Sequence, residues 1–207
     1  QSSYFSLRQF VERMLFNNFG RFVLFVSLIT LTTTLASAFF GVYMLNELKL
    51  SYLQFSLITI SPIVSTIFFL PKWGIFADKF GNIKVVKLTA LFIPLIPLLW
   101  IASATLANFI WILVIYLIII ELFSGIIWAG FNLSESNFIY DATTKEKIAF
   151  CVAYFNIINS FGAFLGGVIG GLISLWGISF FGTSTLLVIF FLSTVLRLLI
   201  VLVFSKS

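Results

Sequence analysis

Glu121 is a carboxylate inside an apolar run, 107–133, and Gly125, Trp128 and Asn132 follow it at offsets of 4, 7 and 11. On a helix those residues fall within about 40° of Glu121, so an acid and an amide share one stripe with a glycine between them. That set can bind a proton or hold a polar solute. Glu121 lies about 14 residues into the run, about 21 Å along a helix axis, near the middle of any layer the run crosses. Three further runs carry polar stripes: Thr30, Thr34, Ser37 and Gly41 in one, Gln54, Ser61 and Ser65 in the next, and Asn156, Asn159 and Gly166 in a third. Hydroxyls on such stripes usually bond back to their own helix. The weight therefore falls on Glu121, with Trp128, Asn132, Asn156, Asn159, Thr34 and Ser37 as further candidates for solute binding or proton coupling.

The composition decides what positions these residues. Of 207 residues 61% are hydrophobic and 9% charged, with a mean hydropathy of +1.16, where a soluble domain carries about 25% charged residues. A chain of this size still exposes roughly 30% of its unfolded surface, and there are too few polar residues to cover that area. Lipid must be the solvent. A spanning helix needs about 20 apolar residues, and six runs qualify: 22–45, 52–73, 85–104, 107–133, 148–175 and 183–204. Hydrocarbon forces every backbone N–H and C=O to pair within its own segment, and the chain lacks the alternating segments of about 10 residues that a barrel needs. The expected fold is all-α, an integral membrane bundle of six helices.

Charge orients it. Of the 12 basic residues, Arg8, Arg13, Arg21, Lys72, Lys79, Lys84, Lys87, Lys145, Lys147, Arg197 and Lys206 fall at one end of the bundle, leaving Lys49 for the other. By the positive-inside rule that end is cytoplasmic and holds both termini. The formal charge of +5 is thus a topology signal, and no nucleic-acid partner is expected. Arg197 reads as an anchor snorkelling to the cytoplasmic surface, and Trp73, Trp100, Trp111 and Trp176 as interfacial aromatics. In residues 1–21, Phe5, Phe10, Met14 and Leu15 recur at helical spacing, which predicts an amphipathic helix on the inner membrane surface. The chain begins with Gln, so this segment reads as a linker within a longer protein.

With no histidine and a single cysteine, Cys151, the chain offers no His-based acid–base chemistry, no common metal site and no internal disulfide. No phosphate-binding loop pattern occurs. We expect neither an enzyme nor a bound cofactor or metal.

The stretch GIFADKFGNIK, 74–84, gathers charge and glycine between the second and third spans. Gly74 suits a close approach at a helix end, and Gly81 a turn with positive φ. Thr143 and Glu146 have the spacing of a capping box before the fifth span. Gly162, Gly166 and Gly170 repeat every fourth residue there, a face that admits a neighbouring helix closely.

Gly74, Ala77, Asp78, Lys79 and Gly81 resemble the signature loop of the major facilitator superfamily, although Asn82 and Ile83 stand where that family usually has basic residues and Lys84 is displaced by one. Asp141, Glu146, Lys147 and Ala149 resemble its connection between spans four and five, and GAFLGGVIGG is similar to its glycine-rich fifth span, with Gly167 in place of a proline. The resemblance implies one six-helix half of a twelve-helix secondary transporter, more similar to the C-terminal half; the expected location is a prokaryotic plasma membrane. It implies a second six-helix half as partner besides the bilayer, an unidentified small solute, and a gating role for Gly74, Asp78, Lys79, Gly81 and Lys84. It also implies that spans one and four line a central cavity, two and five flank it, and three and six face lipid. The other reading is a self-contained six-helix module forming a channel or binding scaffold.

Overall fold

A computed structural model describes residues 7–145, 147–177 and 184–205; Phe5, Glu146, Thr183 and Lys206 lie outside them. The short helix α1, Leu7–Arg13, leads into six spans built from seven helices: α2 Asn18–Val42, α3 Tyr52–Phe80, α4 Asn82–Phe92 and α5 Leu95–Ala102, α6 Ile110–Asp141, α7 Ile148–Trp176, and α8 Thr185–Ser205. All six spans are long and apolar enough to cross a membrane. The apolar runs underestimate several helices, because the polar ends of α3 and α6 continue the helix beyond the hydrocarbon: α3 runs to Phe80 and α6 to Asp141.

Local chemistry sets the boundaries. The Asn17 side chain accepts from the Gly20 N–H and starts α2. A reciprocal box starts α3, where Ser51 Oγ accepts from the Gln54 N–H and Gln54 Oε1 from the Ser51 N–H. Gly81, at φ +90°, separates α3 from α4 as the turn requires. The third span breaks at Ile93–Pro94, with Pro97 one turn further on.

Packing is pairwise. α2 lies along α7 and α3 along α6, while α8 sits on α2 and α5. Glycines make both long contacts close: a Cβ at Gly162, Gly166 or Gly170 would meet the backbone oxygens of Ser27, Leu31 or Leu35 in α2, and one at Gly125 would meet Pro62 and Ser65 in α3. Ser27 Oγ adds a bond to the Ile158 carbonyl at 2.9 Å, and Thr66 Oγ1 one to that of Gly125 at 3.2 Å. The glycine repeat is thus a packing face.

Four expectations need correction. Arg197 does not snorkel: it is 2% exposed, and its Nη1 donates to the Ile93 carbonyl at 3.3 Å. Pro97 has no N–H to give that carbonyl, its partner four residues back in an unbroken helix; the Ile96 N–H reaches it at 3.4 Å, and the arginine adds a second donor. Trp100 and Trp73 are not interfacial. Trp100 is enclosed between α5, α2 and α8 against Phe40, Tyr43 and Phe190, and Trp73 Nε1 donates to the Ile126 carbonyl at 2.8 Å. Gly74 lies inside α3 with its nearest neighbour, Leu133, 4.0 Å from a built Cβ, so no close approach needs it. Thr143 Oγ1 donates to the Ile139 carbonyl at 2.8 Å and finishes α6, while Lys147 precedes α7 without a side-chain cap. In the N-terminal helix Phe10 is buried against Phe19 and Tyr154, while Val11 is exposed.

Arg197 allows a sharp test. A buried charge in a membrane span costs roughly 2.5 kcal/mol or more, and one weak bond to a carbonyl offsets about 1 kcal/mol. Arg197→Met, which keeps the volume, is therefore expected to leave thermal stability in detergent unchanged or raise it, whereas Arg197→Ala, which leaves a cavity, is expected to lower it. Equal loss in both variants would show that the guanidinium itself holds the third span.

Candidate functional site

Glu121 is half-buried, and its Oε1 accepts from Trp100 Nε1 at 3.0 Å. The acid therefore reaches α5, inside the bundle, and its donor is held in place by being 1% exposed. Tyr116, five residues before Glu121, also bonds α5, its hydroxyl donating to the Leu99 carbonyl at 3.0 Å. The rest of the α6 stripe diverges: Gly125 is pressed on α3, half-buried Trp128 packs edge-on to Phe131 at 5.5 Å, and Asn132 is exposed. One stripe thus meets two neighbouring helices and ends on an open surface.

The other candidates divide similarly. Thr34 Oγ1 bonds back to the Thr30 and Leu31 carbonyls at 3.0 and 3.1 Å and lies against Gly166, so its hydroxyl is used within the packed α2–α7 seam. Ser37 is exposed and bonds weakly to the Thr34 carbonyl at 3.4 Å. Asn156 is exposed on α7, and Asn159 has an enclosed Oδ1 with no hydrogen-bond partner among the described residues. Asn132 stands nine residues before the end of α6 and Asn156 eight after the start of α7, which puts both about 12 to 14 Å from the basic end.

Sequence reasoning passed over Glu135. It is three residues beyond Asn132 and 14 beyond Glu121, so the same helical arithmetic places it on the stripe. It is half-buried and makes no hydrogen bond or ion pair among the described residues.

At the basic end Asp78, Lys79, Gly81 and Lys84 are exposed, and both ammonium groups stand near the Phe80 ring, 5.2 and 6.0 Å from its centre. Asn82 Nδ2 donates to Asp141 Oδ2 at 2.8 Å. The turn after the second span is thereby tied to the end of the fourth, two places singled out separately in the sequence.

The sequence model of the Major Facilitator Superfamily matches residues 22–206. The chain belongs to that superfamily. It is a multi-pass integral membrane protein of a transporter family, and its six spans fit the superfamily's six-helix unit. Neither the comparison with curated proteins nor that with solved structures gave a match. Within the superfamily frame, the Asn82–Asp141 bond joins the signature loop to the loop between spans four and five, with an amide in the place of a basic side chain.

Proposed function

We propose that the bundle is one half of a secondary transporter that moves a small solute by alternating access, with Asn132, Asn156 and Asn159, together with Glu135, facing the solute path and Glu121 behind them. The observation that supports this reading most is the uneven character of the exposed surface. Along α5 and α8 the exposed side chains at membrane depth are apolar, Leu95 and Leu98 on one and Phe191, Leu198, Leu199, Leu202 and Val203 on the other. On α6 and α7 the exposed surface includes the amides of Asn132 and Asn156, about 12 to 14 Å from the basic end. An amide facing acyl chains would leave its N–H and C=O groups unpaired at a cost of several kcal/mol. That face suits water, a solute or a second six-helix unit, and the α5 and α8 face suits lipid.

Thiol labelling in native membranes tests this without a known solute. With buried Cys151 replaced by serine, cysteines at Asn132 and Asn156 are expected to react with a membrane-impermeant maleimide at least about tenfold faster than cysteines at Leu98 and Leu198, since thiolate forms only where water reaches. Equal rates at all four positions would remove the aqueous path.

A further inference from the structure

Charge is spread unevenly over the spans. α2 carries Arg21 near the basic end and no other charged residue, and α7 carries none. α6 carries Glu121, Glu135 and Asp141 and no basic residue. Elsewhere, Arg197 of α8 turns to the Ile93 carbonyl, and the ammonium of Lys72 on α3 lies over the Phe69 ring, 4.3 Å from its centre. Arg21 lines the cavity that Lys87 of α4 also lines. Past that first turn of α2, the fixed charges of α2, α6 and α7 are therefore all negative.

Glu135 is placed to use this. It lies six residues before the end of α6, about 9 Å from the basic end, near the mouth of the proposed path. Around the helix axis Phe131 and Phe138 fall about 40° and 60° to one side of it, and both pack on α2, against Phe25 and Phe22. Asn132 falls about 60° to the other side and is exposed. The acid thus stands where the packed seam with α2 gives way to open surface. Trp128, half-buried, lies two turns deeper on nearly the same line, about 10 Å along the axis.

This arrangement sorts solutes by charge. A half-buried carboxylate with neither donor nor counter-charge is unfavourable, and Glu135 has neither among the described residues. A neutral solute would displace water from it and offer no charge in return. An anion would meet a carboxylate with no cation to offset it. A cation gains from the acid, and an indole within reach of its apolar part adds to the gain.

Resting on the solute path proposed above, we propose that the solute is an organic cation, with Glu135 as the residue that pairs with its charge. An ammonium group sits at Glu135 and the apolar part of the solute runs toward Trp128.

The experiment needs no known solute. In open membrane fragments, which hold no potential, the full chain with Cys151→Ser carries Asn132→Cys, one turn from Glu135. It is treated with two small thiol reagents that differ in charge, trimethylammonium-ethyl and sulfonatoethyl methanethiosulfonate, and each rate is divided by that of a free thiol in water. A preference for the cationic reagent of about tenfold or more is expected, within the range by which fixed charge concentrates counter-ions. Glu135→Gln is expected to abolish that preference and Glu135→Asp to keep most of it; the ratio in the parent decides the matter if Glu135→Gln fails to fold. Rapid reaction with both reagents and no preference overturns the proposal while leaving the aqueous path in place, and would mean that a proton satisfies Glu135. A preference undiminished by Glu135→Gln also overturns it. Reaction with either reagent no faster than at Leu198→Cys removes the path itself, and this inference with it.

Discussion

Gly166→Val is expected to separate the first and fifth spans and to abolish a stable bundle, whereas Gly167→Ala, one residue along, is expected to be silent. The contrast follows from the direction each Cβ would take. At Gly166 it would meet the Leu31 carbonyl and Thr34 Oγ1 of α2, and at Gly167 nothing lies within 4 Å. The obstacle at Gly166 is backbone, which cannot swing aside as a side-chain tip can. Overpacking of this kind costs roughly 1 to 3 kcal/mol where neighbours can shift, and more is expected here because Gly162 and Gly170 press on the same helix a turn away on either side. Size-exclusion profiles and thermal denaturation of the solubilised protein check this. A Gly166→Val protein that elutes and melts like the parent would show that the two spans are held by something other than close backbone contact.

The glycine repeat was legible from spacing alone, because small residues every fourth position in an apolar span have few uses other than close approach. The number of spans and the all-α class were legible for a similar reason: lipid leaves the backbone no alternative, so composition decides. Arg197 was misjudged because position along a helix does not reveal which way a long side chain turns. Eight residues from the end of α8 it could reach an interface, and nothing in its own span signals the Ile93 carbonyl of another span toward which it turns. Trp100 and Trp73 failed on the same ground, since nearness to a span end is one coordinate and burial is another. Glu121 turns inward, and its partner, an indole N–H on the neighbouring span, carries no sequence signature. Glu135 was within reach of the same arithmetic and lies in the more polar end of α6, where an acid draws less notice.

The Trp100–Glu121 pair gives the other large effect. Trp100→Ala is expected to cost roughly 3 to 5 kcal/mol, the range for emptying the space of a buried tryptophan, because Phe40, Tyr43 and Phe190 all rest on that ring. Trp100→Phe keeps most of the ring and removes the donor, so its cost isolates the bond to Glu121, about 1 to 3 kcal/mol for a buried acid left without its partner. Glu121→Gln keeps the shape but presents an amide to the indole. If the two groups act as a unit, Trp100→Phe combined with Glu121→Gln is expected to fall short of the sum of the single changes by at least about 0.5 kcal/mol. Strict additivity in thermal or chemical unfolding would show that Glu121 is held by something other than Trp100. In that case the role of Glu121 in carrying solute or proton would follow from that other contact and not from the indole.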